Sequence, residues 1–599
     1  MSRLTRGSAR DRSRPVEASG TRGYRSGRRR AVLVLMLLAM AAALGVRTFE
    51  LQFRDDERIL AWARDHRLQE SSVMGVRGDI LDRSGEPLAT SVEWSAVYAD
   101  PSVVGDPLAA ASALVPLLGG EAAPLAQKMS VPGRFVYLQR QVPPEQAAAV
   151  RELELAGVAT APELHRTYPL GDFAVEIVGS VSTDHRGISG IELLYDEVLA
   201  ARNGSELREM YPGGRSVPGG VSESVRAIDG ADLRLTIDGV LQFEAARILT
   251  EQVSETDAAG GVIIVARPAT GEILAMSTAT RDGSGEVITG VENKAITWAF
   301  EPGSAIKGLT FSAVLDAGLA TPATTSAVPD RLVLYDSEFT DYTPHPVLDY
   351  SVRDIVVESS NIGTILWGER LGAAELENYL RRFGLGARSG LGLYGESAGL
   401  LPALANWSGT SLATISIGQG VSLTPLQLLQ AFNTIANDGV YVPARIVADF
   451  TAADGAVTSP PPAIEPRRVI SSAAATHMQR ILSEAVAGGT GQRAAVEGYA
   501  VAGKTGTARK PHPDGGYEDS DGNYRYVATF VGFLPASAPE LSLIVVIDEP
   551  TATIFGGSAA GPAFAELAEI ALRRLKVPPP TPGAPQPLQV ATGGSEPSG

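Results

Sequence analysis

Ser304 and Lys307 stand three residues apart in Glu301-Pro302-Gly303-Ser304-Ala305-Ile306-Lys307-Gly308, a spacing that puts both on one face of a helix. A serine hydroxyl is a weak nucleophile until a neighbouring base takes its proton. A desolvated lysine serves as that base once its pKa falls from about 10.4 to roughly 7–8, whereas an arginine cannot lose its proton. Lysine is scarce here: of 51 basic residues only Lys128, Lys294, Lys307, Lys504, Lys510 and Lys576 are lysines. Two further places carry related chemistry. Ser359-Ser360-Asn361 puts a hydroxyl and an amide where they can relay a proton and hold a substrate amide, although a serine there also reads as a helix N-cap. Lys504-Thr505-Gly506-Thr507 offers a cation, two hydroxyls and strand amides suited to a carboxylate and an acyl oxygen. Gly503 and Gly506 are expected to let a substrate backbone come close.

These groups need elements to hold them. Pro302 and Gly303 predict a turn, and Ile306, Leu309, Ala313 and Val314 recur at helical spacing, so Ser304 is expected in the first turn of a buried helix. Val352, Ile355 and Val356 predict a helix that breaks at Ser359 before another begins at Ile362. Strands are predicted over Gly261 to Ala266, Glu272 to Ser277, Tyr499 to Thr507, Tyr526 to Leu534 and Leu541 to Ile547. Helices are expected from Leu235-Thr236-Ile237-Asp238 through Ile248 and from Pro562 to Leu575, and for most of the interval between the strand groups. Strands at both ends with helices between them predict an α+β domain: one antiparallel sheet of about five strands with helices on its faces.

The remaining chain divides by composition. Residues 1–30 hold ten arginines against Asp11 and Glu17, and Ala31 to Val46 is an uninterrupted apolar run bracketed by Arg30 and Arg47. We read 31–47 as a transmembrane anchor; small-residue triplets such as Ala39-Met40-Ala41 also allow a cleaved signal peptide. Arginine before the span puts a basic tail, 1–30, in the cytoplasm and the rest of the chain outside. Residues 48–229 read as a non-catalytic α+β pedestal with a helix over Pro143 to Leu155. Arg77 to Gly85 reads as a strand and turn, and Arg166-Thr167-Tyr168-Pro169 as another charged turn. The catalytic domain is expected at 230–577, and 578–599 is a Pro- and Gly-rich disordered tail. The net charge of −17, with ten arginines concentrated at the N-terminal end, argues against a nucleic-acid partner for the body of the protein. No cysteine is present, and the six histidines show no metal-binding spacing.

Two motifs mislead. Gly498 to Thr505 matches the phosphate-loop pattern G-x-x-x-x-G-K-[ST], and Leu541 to Glu549 resembles its acidic strand, but the intervening residues are strand-like and Pro511 opposes a helix. Gly395-Glu396-Ser397-Ala398-Gly399 matches the hydrolase elbow G-x-S-x-G without the helix that should come after it.

The ordered set S-x-x-K, S-x-N, K-T-G resembles that of the class B penicillin-binding proteins, the peptidoglycan D,D-transpeptidases, most closely their cell-division type. The resemblance runs from the anchor to about Pro578. It includes Arg77 to Ala89, Arg166 to Pro169, Gly190-Ile191-Glu192, Leu235 to Asp238, Gly418-Gln419-Gly420 with Thr424-Pro425, and Gly503 to Thr507. The family commonly has Thr and Phe or Met where this chain has Ala305 and Ile306.

The resemblance implies that Ser304 attacks the penultimate D-alanine of a stem peptide while Lys307 accepts its proton. Ser359 would protonate the departing amine, Asn361 would hold the donor peptide, and Lys504 with Thr505 would bind its carboxylate. The N–H groups of Ser304 and Thr507 would form an oxyanion hole beside Gly506. It also implies covalent binding of β-lactams, no cofactor or metal, residence in the bacterial plasma membrane, and a membrane glycosyltransferase and division proteins as partners. Alternatives are transfer to water, as in a D,D-carboxypeptidase or β-lactamase, and a catalytically inactive membrane-tethered scaffold.

Overall fold

The computed structural model describes residues 25–53, 68–211, 215–290, 292–462, 464–512 and 515–579, so most of the basic tail and nearly all of the Pro-rich tail lie outside the described residues. The chain forms two compact units. The first holds a helix at Arg25–Phe53 and a three-stranded antiparallel sheet of Leu68–Val73, Gly204–Glu209 and Ser222–Val225. Gly27–Glu50, 24 residues, is long and apolar enough to cross a membrane, and its large apolar side chains are exposed.

The second unit, 74–202 and 227–599, is built on two sheets. The larger has seven strands and is shared between the two halves read from the sequence. Ile80–Leu81 pairs in parallel with Asp232–Leu235, which pairs antiparallel with Val447–Thr451. The pedestal and the domain after it are therefore joined by a ladder of hydrogen bonds. Arg77 and Arg166 depart from the expectation of charged turns. Arg166 lies near the end of the strand Val158–Thr167, and both guanidiniums are buried against Glu192, with Arg77 Nε 2.7 Å from Oε2 and Arg166 Nε 2.8 Å from Oε1. One buried carboxylate is thus satisfied by two buried cations, the condition under which such charges are tolerated.

The second sheet has six antiparallel strands instead of about five: β1 (Gly260–Ala266), β2 (Ile273–Arg281), β3 (Val287–Thr289), β4 (Ala502–Arg509), β5 (Tyr526–Leu534) and β6 (Leu541–Asp548), in the order β3-β2-β1-β6-β5-β4. The added strand, β3, is three residues long, too short to show a period. The centre of the sheet is buried on both faces. In β1 and β6 all side chains are buried; Val262, Ile264, Ile544 and Val546 enter one core, and Ile263, Val265, Leu543, Val545 and Ile547 the other.

The flanking helices include α1 (Gly239–Glu255), α2 (Lys307–Asp316), α3 (Asn361–Leu371) and α4 (Gly561–Leu575). α1 starts where Asp238 Oδ1 accepts from Val240 N and Leu241 N, and with α4 it covers one core. α2 and α3 pack in the other. The interval between the strand groups is less helical than expected: it contains a hairpin of Arg331–Leu334 and Ser337–Thr340, whose strands alternate between exposed and half-buried residues. With one face open to solvent this hairpin has only a four-residue signature per strand, and its consequence for the site is large.

Candidate active site

The serine turn is a short 3-10 helix, Gly303–Ile306, that runs directly into α2 at Lys307. It is wedged between two glycines. A Cβ on Gly418 would lie 2.2 Å from the Gly303 carbonyl oxygen, and one on Gly506 would lie 2.6 Å from that of Pro302. Gly506 therefore makes room for the chain's own serine turn, and Gly503 for the Phe530 ring, 2.6 Å from its notional Cβ. The outcome is that β4, the edge strand of its sheet, is packed against the turn carrying Ser304.

Lys307 is completely buried at the start of α2. Its Nζ donates to the Ser359 carbonyl at 2.6 Å and to Asn361 Oδ1 at 2.7 Å, with Ser359 Oγ at 3.4 Å. The expected contact with Ser304 is not made: among the described residues the half-buried Ser304 hydroxyl has no hydrogen-bond partner. Catalytic contacts often tighten only when substrate is present. Burial, then repulsion from Lys504, drives the Lys307 pKa well below the ordinary lysine value, with Asp341 opposing. A neutral amine donating to Ser359 O and Asn361 Oδ1 still holds a lone pair for a proton.

Ser359 adopts φ +62°, a left-handed conformation that a serine takes only when its surroundings enforce it. It lies between the helix Val352–Val357 and α3. Ser360 fills the N-cap of α3, its Oγ accepting from Gly363 N at 2.9 Å, so the capping reading and the proton-relay reading fall on neighbouring serines. Holding the whole loop is Asp341, just past the hairpin. Its Oδ2 accepts from Ser360 Oγ at 2.6 Å and His345 Nε2 at 3.1 Å, and its Oδ1 from the amides of Asn361 and Ile362. A carboxylate at a helix N-terminus is favoured by the dipole as well as by these donors. Asn361 Nδ2 also donates to the Thr340 carbonyl at 2.9 Å, so the end of the hairpin holds the side chain of Asn361 while Asp341 holds its amide. Asp341 is a site residue that sequence reasoning missed, since it lies 20 residues from Asn361 in a polar stretch with no period.

Lys504 on β4 is also buried, and burial lowers its pKa to about 7. Its nearest acceptor is Thr505 Oγ1 at 3.5 Å, so among the described residues no carboxylate neutralises it. Thr505 Oγ1 shares a hydrogen bond with Thr490 Oγ1 at 2.9 Å, and Thr507 Oγ1 accepts from Gly556 N at 3.2 Å. Because Lys504 is inside a strand, the phosphate-loop pattern has no helix N-terminus to serve, and Ser397 of the elbow pattern lies in a loop.

Glu301, three residues before the serine, is buried and its pKa is raised by that burial. It accepts from Gly420 N at 2.9 Å and from the Tyr517 hydroxyl at 3.0 Å. Tyr517 belongs to the segment after β4, whose base is pinned by Lys510 Nζ on Asp548 at 2.7 Å and Glu549 at 2.8 Å. Among the described residues no group of three His, Asp or Glu side chains is placed to hold a metal ion.

Ser304 on the 3-10 turn, Lys307 on α2, Ser359 in the loop before α3, Asn361 on α3 and the strand Lys504 to Thr507 are thus brought to one place. Comparison with known proteins shows the family. Residues 261–569 match the penicillin-binding protein transpeptidase domain, and residues 72–235 the penicillin-binding protein dimerisation domain. Penicillin-binding protein PbpB of Mycolicibacterium smegmatis is 33% identical over 93% of this chain and 92% of its own. Peptidoglycan D,D-transpeptidase FtsI of Escherichia coli K12 is 32% identical over 91% of each. The crystal structure of penicillin-binding protein 3 from Mycobacterium tuberculosis complexed with aztreonam superposes with a TM-score of 0.66 at 30% identity, covering 86% of this chain and 99% of that one. The chain belongs to the penicillin-binding protein transpeptidase family and stands among its class B, division-type members.

Proposed function

We propose that this D,D-transpeptidase works through an acyl-enzyme on Ser304 and cross-links peptidoglycan stem peptides during septal wall synthesis. Ser304 Oγ attacks the carbonyl of the penultimate D-alanine as Lys307 takes its proton. The backbone N–H groups of Ser304 and Thr507 receive the developing oxyanion, where losing one such donor commonly costs about 3–4 kcal/mol. The C–N bond to the last D-alanine breaks, and Ser359 hands its proton to the leaving amine while the Lys307 ammonium, 3.4 Å from Ser359 Oγ, replaces it, leaving Lys307 neutral again. An amine of a second stem peptide then attacks the ester carbonyl and returns Ser304 to its hydroxyl form.

Lys504 and Thr505 receive the terminal carboxylate of the donor. A buried lysine poised near neutrality and lacking an internal counter-ion among the described residues suits that task, because an arriving carboxylate raises its pKa and restores its charge. Asn361 keeps one Nδ2 proton beyond its bond to Thr340 O for the donor peptide. The single observation that carries the reading is the buried Lys307 amine, held by Ser359 and Asn361 one turn from Ser304.

β-Lactams acylate the same serine in this reading, in keeping with one relative, penicillin-binding protein 3 of Mycobacterium tuberculosis, solved in complex with aztreonam and with ampicillin. The N-terminal helix anchors the protein in the bacterial plasma membrane in a single pass, with the arginine-rich N-terminus cytoplasmic and the catalytic domain outside. There it works beside a membrane glycosyltransferase and division proteins. The test is the intact mass of the protein after incubation with a fluorescent penicillin. A one-to-one adduct on wild type, absent from Ser304→Ala and much slower to form on Lys307→Ala, is expected. No adduct on folded wild type overturns the acyl-enzyme.

A further inference from the structure

A pocket of about 300 Å³ lies away from Ser304, at the junction of the two family-matched regions. Arg83 and Arg234 line it from the dimerisation side, and Glu272, Arg445, Asp449 and Ser459 from the transpeptidase side. Three guanidiniums face two carboxylates, a local positive excess in a chain of net charge −17. The pairing is also uneven. Asp449 is taken by Arg234, whose Nε donates to Oδ1 at 3.1 Å and whose Nη2 reaches Oδ2. Glu272 must serve the rest: Arg445 Nη2 donates to its Oε1, while Arg83 Nη2 and Arg267 Nε both stop 3.9 Å from its Oε2, beyond hydrogen-bond length.

As a result Arg83 Nη1 and Arg267 Nε are buried donors with no hydrogen-bond partner among the described residues. Arg267 has a distant neighbour in Glu540, at 3.7 Å, but among the described residues Arg83 has no acid besides the shared Glu272. Buried charged donors left without an acceptor show that the guanidiniums here outnumber their carboxylates, and pockets at domain junctions are where ligands commonly bind. The planar fork of arginine matches two oxygens on one atom, as in carboxylates and phosphates, better than it matches water.

We propose that this pocket binds a small oxyanion, a phosphate or carboxylate group, clasped between Arg83 and Arg445. The bound group accepts from the solvent-facing parts of Arg83 and Arg445, whose side chains are 28% and 47% exposed, and so links the two matched regions through their guanidiniums. It needs neither Ser304 nor the chemistry proposed there.

The test uses the full chain in detergent micelles at constant ionic strength, balanced with sodium chloride. Inorganic phosphate, glycerol phosphate and acetate are titrated separately, read by the thermal midpoint and, for the phosphates, by broadening of their phosphorus resonance. Saturable binding by wild type is expected, weakened at least about tenfold by Arg83→Gln or Arg445→Gln. Ser459→Asp, which leaves every ion pair in place and adds a negative charge to the lining, is expected to abolish it. Tighter binding of the phosphates assigns the site to phosphate groups and tighter binding of acetate to carboxylates, either supporting the proposal. No saturable response to any of the three in wild type, or equal binding by wild type and the folded Ser459→Asp variant, overturns it.

Discussion

Lys307 Nζ lies 2.7 Å from Asn361 Oδ1, although the two residues are 54 apart in the chain and sit at the starts of different helices. The asparagine amide thereby orients a lysine whose pKa burial lowers well below the ordinary value. Removing it leaves the lysine with the Ser359 carbonyl as its one short contact. Asn361→Ala is expected to slow acylation by penicillin on the order of 10²-fold, the scale associated with a misplaced reacting group, with less effect on melting. Stopped-flow acylation beside a thermal melt checks it; unchanged acylation would remove Asn361 from the proposed machinery.

Asp341 is expected to matter nearly as much without touching substrate. In Asp341→Ala, Ser360 Oγ and the amides of Asn361 and Ile362 lose their shared acceptor, a loss of about 1–3 kcal/mol in folding stability together with slower acylation. Asp341→Asn keeps one acceptor oxygen and should fall between the two. Denaturant melts of the three proteins give the ranking.

Lys504 ties stability to pH. Its folded pKa is about 7 against an ordinary value of 10.5, so between these limits the unfolded chain binds more protons. Stability from this group therefore rises with pH across that window, and its burial is fully unfavourable below about 7. Lys504→Met is expected to raise the melting midpoint by at least about 2 °C near pH 7, to lose this gain as the pH approaches 10.5, and to weaken use of carboxylate-bearing donors. In the wild type, recognition of such donors should fall as the pH climbs past about 7, where the charge is lost. A midpoint difference between the two proteins that does not change with pH would contradict this assignment.

Gly418→Ala should break the site from behind. The residue has φ +87°, and a Cβ would meet the Gly303 oxygen at 2.2 Å, so the serine turn must shift. A destabilisation of about 2–3 kcal/mol and loss of most acylation are expected. Melting and adduct formation report the two effects separately.

The segment between Arg509 and Arg525 lies beside the serine turn through Tyr517 and Glu301. Shortening it is expected to change transfer to acceptor amines more than acylation by penicillin. Parallel assays of amine transfer and penicillin binding decide this, and equal losses in both would count against a role in acceptor use.

The proposed reacting groups and the strands that flank them are legible in the amino-acid order alone. Tyr526 to Leu534 is readable to the residue because buried runs of Val, Phe and Leu between turn signals are a local property. The S-x-x-K spacing is readable because one helical turn is fixed by backbone geometry. Other features exist only in the folded packing. That the Lys307 pKa is lowered, that Ser360 caps while Ser359 stays strained, and that Asp341 reaches across 20 residues to the Asn361 amide depend on burial and long-range hydrogen bonds. Gly503 and Gly506 show the same limit: their lack of a side chain marks where backbone space is needed, but only packing shows that Phe530 and Pro302 fill it. Side-chain chemistry and short-range periodicity are written along the chain, whereas desolvation and the choice of partner arise only when distant segments exclude water together.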